Sequence, residues 1–286
     1  MTAGDNSGSN AITRESVPQA QRLWLETYRS WRRFHNGVRT PGAPLLTSLG
    51  KYPRCVLVAG CQRSGTTMLT RLIARAQGFA GLALTKDDEL DAALVLAGFV
   101  DLPQNTRYCF QTTYLNECFG EYGTLNQGQR LIWVVRNPYS VIHSMLNNWR
   151  RFALNELYAG CGTQTTSSKR LQRGYLPWPF GPSRLEKACL AYRGKAAQIL
   201  AIKAIVKPDQ LLVVDYDRLA AKPHETLPAI FQFANAPYDP EYAGEVRKTS
   251  LSKAEHLSRR TRKLIERLTW QTYSECAQLA TETLSV

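Results

Sequence analysis

A glycine-bounded loop between an apolar strand and a helix limits the possible folds more than any other part of the chain. The segment VLVAGCQRSGTTML covers residues 56–69, and the loop itself runs from Gly60 to Thr67. In a strand–loop–helix unit of this kind, successive backbone N–H groups converge on an anion, and the helix dipole adds about half a positive charge there. The segment therefore predicts an anion cradle at the carboxyl end of a β-strand.

The loop lacks the lysine of a nucleotide-triphosphate loop. Such a loop would read G-x-x-x-x-G-K-[ST], whereas Thr66 occupies the lysine position here. That lysine follows the β- and γ-phosphates and neutralises charge that grows during transfer. The cation inside this loop is Arg63, which stands near its mouth. We therefore expect the loop to hold one phosphate with a short anionic extension rather than a magnesium-bound triphosphate.

From residue 54 onwards, short apolar runs alternate with longer helical stretches. Apolar strands of this length fit a parallel sheet covered on both faces, and their alternation with helices implies right-handed βαβ units. The predicted fold class is α/β, a three-layer sandwich with a central, mainly parallel sheet. The predicted strands are residues 55–59, 81–84, 107–111, 131–135 and 211–215. The predicted helices are residues 67–76, 140–151, 184–205 and 221–234.

The composition divides the chain into three parts. Residues 1–17 are rich in Gly, Ser, Asn and Thr, and we expect them to be disordered. For residues 18–53 the sequence predicts a basic amphipathic helix (18–38) followed by a connector. Such a helix can lie on an anionic membrane, but we favour a helix that packs on the domain. Residues 54–286 predict a single domain with a lid-like insertion at about 160–182, for which a merely tolerated surface loop is the alternative.

A second phosphate-type motif follows the predicted strand 131–135. This strand runs into Arg136-Asn137-Pro138, and Ser144 stands eight residues after the arginine. An arginine at the carboxyl edge of a strand can bind a phosphate through two hydrogen bonds, and a serine on the next helix supplies another donor. An Arg-Asn-Pro segment alone is common, and a simple strand stop is the alternative to a second anion site.

Together these motifs resemble the sulfotransferase family, whose members use 3′-phosphoadenosine 5′-phosphosulfate (PAPS) and release 3′-phosphoadenosine 5′-phosphate (PAP). The resemblance covers about residues 54–275, and the loop wording is most similar to the tyrosylprotein and carbohydrate branches. It implies that Arg63 holds the bridging oxygen and stabilises the leaving group, and that Arg136 and Ser144 bind the 3′-phosphate. The residues implied for the 5′-phosphate and sulfate are Ser64, Gly65, Thr66 and Thr67.

Two weaker similarities extend the resemblance. The strand 211–215 leads into Tyr216, which by position would contact adenine, although a core tyrosine at a strand end is the alternative. The basic segment from Lys248 through Ser250, Ser252 and Lys253 to residues 259–263 loosely resembles the loop with which the family covers its cofactor.

The resemblance offers two places for the general base. Small-molecule sulfotransferases take it from a Lys-Thr-His segment, and the comparable place here ends in Thr113. The tyrosylprotein branch uses a glutamate after the second strand, where this chain offers Asp87, Asp88 and Glu89. Crowded carboxylates raise one another's pKa, which would help one of them act near neutral pH. We rank Glu89 first, then Asp87 and Asp88, with His143 as the next candidate and a helix start enriched in acids as the alternative.

Charge and cysteine content limit the partners. The chain has 286 residues with a formal net charge of +13, which favours an anionic acceptor such as a glycan, an acidic peptide or an acidic natural product; a phenol or tyrosine is also possible. Its seven scattered cysteines show no metal-ligand spacing, so we expect no bound metal and we expect the thiols to be reduced.

The sequence has neither a signal-peptide pattern nor an apolar run long enough to span a bilayer. We therefore expect a cytoplasmic protein.

The predicted function is therefore transfer of a sulfuryl group from PAPS to an acceptor hydroxyl, without a metal and with a carboxylate as base. A P-loop-type nucleotide kinase is one alternative, but it would need the missing lysine and a magnesium-binding aspartate. A non-catalytic protein that binds PAP or another nucleotide is the second alternative. A nucleic-acid-binding protein is disfavoured because no recognised DNA or RNA motif is present and the basic residues are dispersed.

Overall fold

The computed structural model describes residues 11–38, 43–246 and 255–283. Its centre is a five-stranded parallel sheet with the strand order β3-β5-β2-β6-β7. These strands are β2 (Val56–Gly60), β3 (Phe79–Ala80), β5 (Arg107–Gln111), β6 (Arg130–Val135) and β7 (Leu211–Asp215). A separate pair of short parallel strands consists of β1 (Ile12–Thr13) and β4 (Leu82–Ala83). Because β2, β5, β6 and β7 run in parallel, their carboxyl ends meet at one edge of the sheet.

Helices cover both faces of the sheet. In chain order they are α1 (Gln19–Thr27), α2 (Trp31–Val38), α3 (Thr66–Ala74), α4 (Asp88–Leu96), α5 (Pro138–Asn148), α6 (Arg151–Leu157), α7 (Lys169–Gln172), α8 (Arg184–Ile205), α9 (Tyr216–Ala221), α10 (Pro223–Phe233) and α11 (Arg259–Thr283). Along β6, Trp133 faces a core with α5, α8 and α11, whereas Ile132 and Val134 face a core with α3 and α10. Both faces of each central strand are thus buried, which explains the uninterrupted apolar runs.

The predicted three-layer α/β sandwich is confirmed. The strands 107–111 and 211–215 have the predicted bounds, and the first and fourth predicted strands differ by one residue at their ends. The predicted strand 81–84 is wrong as a member of the main sheet, because Phe79–Ala80 fills that edge position and Leu82–Ala83 pairs with Ile12–Thr13 instead. Strands of two residues carry too little periodicity to be recognised from a sequence.

The amino-terminal segment packs on the domain. Instead of one helix over 18–38, the chain forms α1 and α2, and Leu25 and Phe34 enter the same core as the sheet. The indole Nε1 of Trp31 donates a hydrogen bond of 2.7 Å to Glu156, and its ring lies 5.6 Å from that of Tyr114. Residues 11–17, predicted to be disordered, contain β1 and a 3-10 turn, whereas residues 1–10 lie outside the described part.

The insertion at 160–182 folds into short turns and the helix α7. A capping box then starts α8, in which Ser183 accepts from the backbone of Glu186 and the Glu186 carboxylate accepts from the backbone of Ser183. In the described residues, none of the helices combines the length and the apolar character that crossing a bilayer requires.

Candidate active site

A cleft of about 730 Å³ opens at the carboxyl edge of the sheet. It lies where the chain leaves β2, β5, β6 and β7, which is the usual ligand crevice of an open α/β sheet. Every predicted site residue except the buried Ser64 lines this cleft. Those residues are Arg63, Gly65, Thr66, Thr67, Asp87, Asp88, Glu89, Arg136, Ser144 and Tyr216. The fold thus brings together side chains that are separated by more than one hundred positions in the sequence.

The loop between β2 and α3 depends on its two glycines. Gly60 has a φ of 135°, and a Cβ there would collide with the backbone oxygen of Val134 on the neighbouring strand. Gly65 has a φ of 100° at the start of α3, and a Cβ there would run into the ring of Tyr216. Arg63 itself has a φ of 75°, a left-handed conformation that is rare for a non-glycine residue and is concentrated at functional sites.

The loop also holds buried hydroxyl groups. Ser64 is fully buried, and its Oγ has no hydrogen-bond partner among the described residues. Thr66 starts α3, where the first backbone N–H groups of a helix lack intrahelical partners, and its Oγ1 accepts a bond of 3.2 Å from Gln111. Because an unsatisfied buried hydroxyl costs about 1–3 kcal/mol, the loop has the character of a site that is completed by an anion.

Two arginines face the cleft from different elements. Arg136 follows β6 and is almost fully buried; its Nη1 donates a bond of 3.2 Å to the backbone oxygen of Arg63. Burial lowers the pKa of Arg136, and the neighbouring Arg63 lowers it further. Arg63 donates through Nε to the Oγ of Ser144 at 3.0 Å, and Asn148 donates to the same oxygen at 3.1 Å. Since Ser144 accepts both bonds, its own proton remains available to a ligand.

The ring of Tyr216 packs against the guanidinium of Arg136. Its ring centroid lies 4.4 Å from Cζ of Arg136, which is close enough for a cation–π interaction. The ring also contacts Gly65 and belongs to the core under α3. The alternative of a core tyrosine at the strand end therefore agrees with its position, although the residue still lines the cleft.

Two of the three predicted carboxylates are engaged in the local structure. Asp87 is the N-cap of α4, where its side chain accepts from the backbone N–H groups of Glu89 and Leu90. Asp88 forms a two-pronged ion pair with Arg71 of α3, with bonds of 2.6 and 3.0 Å. Both residues thus have structural tasks that a general base would have to leave.

Glu89 differs from its two neighbours. It is half-buried, and burial together with the nearby carboxylates of Asp87 and Glu156 raises its pKa to about 8, although Thr113 and Lys195 act in the opposite direction. Thr113 is the residue at the position of the family's histidine. Glu89, predicted as a base after the second strand, therefore lies beside the strand end that corresponds to the Lys-Thr-His segment of small-molecule sulfotransferases.

The structure also reveals site residues that the sequence analysis missed. Gln111 ends β5, lines the cleft and fixes Thr66. Gln62 donates 2.9 Å to the backbone oxygen of Thr113 and thus ties the phosphate-type loop to the end of β5. A polar residue at the end of an apolar strand was the available signal for Gln111. Gln62 carried no such signal, because its partner lies 51 positions away.

Three further expectations concern His143, the covering segment and a metal. His143 is on α5 but does not line the cleft; its ring lies 5.9 Å from that of His256. The proposed covering residues Lys248, Ser250, Ser252 and Lys253 lie outside the described residues. In the part of the chain that the structure describes, no group of three or more His, Cys, Asp or Glu side chains is arranged to hold a metal ion.

Comparisons with known proteins identify the family of this chain. The family model described as sulfotransferase domain matches residues 53–269. No curated protein matches the sequence. Among solved structures, the sulfotransferase domain from the curacin biosynthetic pathway is 16% identical, covers 72% of this chain and 83% of its own, and gives a TM-score of 0.46. The sulfotransferase domain from the Synechococcus PCC 7002 olefin synthase is 14% identical, with coverages of 76% and 94% and a TM-score of 0.46. A mouse sulfotransferase complexed with PAP is 18% identical, with coverages of 75% and 71% and a TM-score of 0.35.

Proposed function

The chain belongs to the sulfotransferase family, and from this membership we propose that it transfers a sulfuryl group from PAPS to an acceptor hydroxyl. The observation that carries the proposal is the single cleft that joins Arg63, Arg136 and Glu89. Two neighbouring arginines repel each other while the site is empty. Each of them lowers the free energy of a bound anion, so the pair favours a ligand with several negative charges. A carboxylate with a raised pKa in the same cleft suits proton removal near neutral pH.

The residues of the cradle fit a nucleotide that carries two separate anionic groups. Gly65, Thr66 and Thr67 would hold the 5′-phosphate and sulfate at the start of α3, with the orphaned Oγ of Ser64 as a further donor. Arg136 and Ser144 would hold the 3′-phosphate. We further propose that Tyr216 acts by orienting the Arg136 guanidinium through its ring face, in addition to any contact with adenine.

Arg63 would act on the leaving group. PAPS, when bound, supplies the sulfuryl group and departs as PAP, so negative charge grows on the bridging oxygen as the S–O bond breaks. A guanidinium that is already fixed to Ser144 needs little reorganisation to stabilise that charge. The protein's own contribution is then position and electrostatic stabilisation, as in phosphoryl transfer, and the proposed mechanism uses no metal.

Glu89 would take the proton of the acceptor hydroxyl. As the acceptor oxygen forms its bond to sulfur, the O–H proton passes to the Glu89 carboxylate, which then returns it to solvent. Asp87 and Asp88 are engaged as a helix cap and an ion pair, so we assign them to shaping the α4 end of the cleft. The proposed acceptor is a hydroxyl of a glycan, a phenol or a natural product, with anionic character favoured by the net charge of +13.

Thermal unfolding with nucleotides tests the proposal. We expect PAP to raise the melting temperature strongly, since a ligand at about 100 times its dissociation constant adds about 2.7 kcal/mol to the free energy of unfolding. ATP with magnesium should stabilise far less, because the loop lacks the lysine. If ATP–magnesium were the better stabiliser, a kinase would replace the sulfotransferase as the best explanation of the cleft.

A matched pair of variants and a turnover assay complete this test. Arg136→Ala should weaken PAP binding by about 1.5–3 kcal/mol, the scale of charge-assisted hydrogen bonds. Arg130→Ala, at the opposite end of β6, should leave PAP affinity unchanged. Radiolabelled PAPS offered with a panel of hydroxyl acceptors should then yield a labelled acceptor. PAP binding without any transfer across the panel would favour a non-catalytic nucleotide-binding protein.

A further inference from the structure

Three large aromatic side chains stand exposed on the insertion between α7 and α8. Tyr175 is 82% exposed, Phe180 71% and Trp178 69%. Single exposed hydrophobic residues are ordinary, but three within six positions of one short segment are not, and clusters of exposed hydrophobic residues mark interaction surfaces.

Basic residues surround these rings. Residues 160–184 contain four lysines and arginines and no acid. Trp178 also lines a groove of about 780 Å³ together with Arg260, Lys263 and Arg267 of α11. None of these three cations forms an ion pair with a described carboxylate. The lining of the groove therefore has more positive than negative charges.

Two acids lie near the groove, and among the described residues only one of them is paired with a cation. Glu186 is paired with Arg170 and caps α8, and Glu266 accepts a hydrogen bond from the hydroxyl of Tyr139. Positions 260, 263, 267 and 270 fall on one face of α11, opposite the buried Ile265. This face adds the exposed Trp270 to the basic residues. We call the whole area, made of residues 175–180 and this face of α11, the aromatic–basic surface.

We propose that the aromatic–basic surface docks the protein on an anionic lipid bilayer. Aromatic side chains partition into the headgroup region, and lysines and arginines are attracted to anionic headgroups within a Debye length. A soluble anion in the groove would cover Trp178 but leave Tyr175 and Phe180 in water, since these two do not line the groove. A bilayer can also take up exposed rings that lie outside the groove, which is why the observations favour it over a soluble polyanion.

The surface adjoins the rim of the active-site cleft. Arg184 stands between Ser183 and Leu185, which line the groove, and its Nη2 donates a bond of 2.8 Å to the backbone oxygen of Trp149. Trp149 in turn lines the cleft. A docked bilayer would thus lie next to the place where an acceptor enters. The docking is independent of the proposed chemistry and can be tested without PAPS.

Co-sedimentation of the full chain with lipid vesicles tests this proposal. We expect binding to vesicles of phosphatidylcholine and phosphatidylglycerol in equal parts, and much weaker binding to phosphatidylcholine alone or at high salt. Brominated lipids should quench the tryptophan fluorescence, and Trp178→Leu with Trp270→Leu should remove most of that quenching. Equal binding to both vesicle types, or no binding, would overturn the proposal, as would tight binding to a soluble polyanion such as heparin without quenching by brominated lipid.

Two surface variants and one control locate the contact. Lys263→Glu with Arg267→Glu should weaken vesicle binding by about 30-fold or more, because each basic residue near the membrane contributes about 1 kcal/mol. Tyr175→Ser with Phe180→Ser should also weaken it. Arg29→Glu with Arg33→Glu makes the same charge change on the amino-terminal segment and should have a much smaller effect. The proposal is wrong if this control abolishes binding while the α11 variant retains it. Stabilisation by PAP in every variant separates loss of docking from loss of the fold or of the cofactor site.

Discussion

The ring of Tyr216 lies 4.4 Å from Cζ of Arg136, so the end of β7 supports the arginine that follows β6. Both residues leave their strands at the same edge, where Val135 pairs with Asp215 in the parallel register. The carbonyl of Arg136 also accepts a bond of 2.7 Å from the hydroxyl of Tyr192 on α8. The guanidinium is thus held by the ring of Tyr216 and by the backbone of the loop, while α8 fixes the backbone of the same residue.

This support predicts how Tyr216 variants bind nucleotide. Tyr216→Phe should keep near-wild-type affinity for PAP, since the ring face remains. Tyr216→Leu should weaken PAP binding by about 0.5–2 kcal/mol, the range of a partly desolvated cation–π contact. Isothermal titration calorimetry measures both, and melting temperatures show whether the leucine variant is folded. Equal affinities for the two variants would show that the ring does not support Arg136.

Arg63 should matter for turnover more than for binding. Its charge has most to stabilise when the leaving oxygen becomes anionic, so Arg63→Ala should lower kcat by about 10²–10³-fold, the usual loss for one such donor. The Kd for PAP should change much less than it does in Arg136→Ala. Single-turnover transfer rates and calorimetry together give the two numbers. A large loss of PAP affinity with unchanged kcat would instead assign Arg63 to ground-state binding.

The sequence predicted the parts of this fold that depend on local patterns. The short apolar runs within β5 and β7, and the glycine loop before α3, can each be recognised from a few adjacent positions. The pairing of Ile12–Thr13 with Leu82–Ala83 depends on contacts between distant residues in very short strands, and no local pattern encodes it. The split of the amino-terminal helix likewise follows from the way Trp31 and Phe34 pack on the domain.

The sequence allowed us to predict which residues form the candidate site, but not the hydrogen bonds and ion pairs between them. Each phosphate-type motif could be read from its own spacing, and both reach one cleft. The bond between Arg63 and Ser144 spans 81 positions, so their direct contact was not foreseen. For the general base, the sequence allowed us only to rank the three adjacent acids. The helix cap at Asp87 and the ion pair of Asp88 now give a physical reason for that order, which remains a prediction.

The three acids should separate in a turnover assay. Glu89→Gln should lower the transfer rate by about 10²–10⁴-fold, the range of a general base. Asp87→Asn should cost far less, because asparagine is also a good N-cap, and Asp88→Asn should act only through the lost pair with Arg71. Each variant is checked for PAP affinity. Near-wild-type rates in Glu89→Gln, with chemistry rate-limiting, would eliminate Glu89 as the base.

The raised pKa of Glu89 also predicts a pH-dependent stability difference between the wild type and Glu89→Gln. With a folded pKa of about 8 and an ordinary value of 4.5 for the unfolded chain, Glu89 binds a proton on folding throughout the interval between them. The wild type therefore loses stability as the pH rises through this interval, by at most about 1.4 kcal/mol per pH unit for one proton, and the loss levels off above pH 8. Glutamine carries no titrating group, so the free energy of unfolding of Glu89→Gln minus that of the wild type should grow from pH 5 to pH 8.

Urea unfolding at a series of pH values gives this difference, and the subtraction removes most of the contribution of other groups. A difference that stays constant from pH 5 to pH 8 would mean that Glu89 is already ionised at pH 5, and the argument for a base matched to neutral pH would fail.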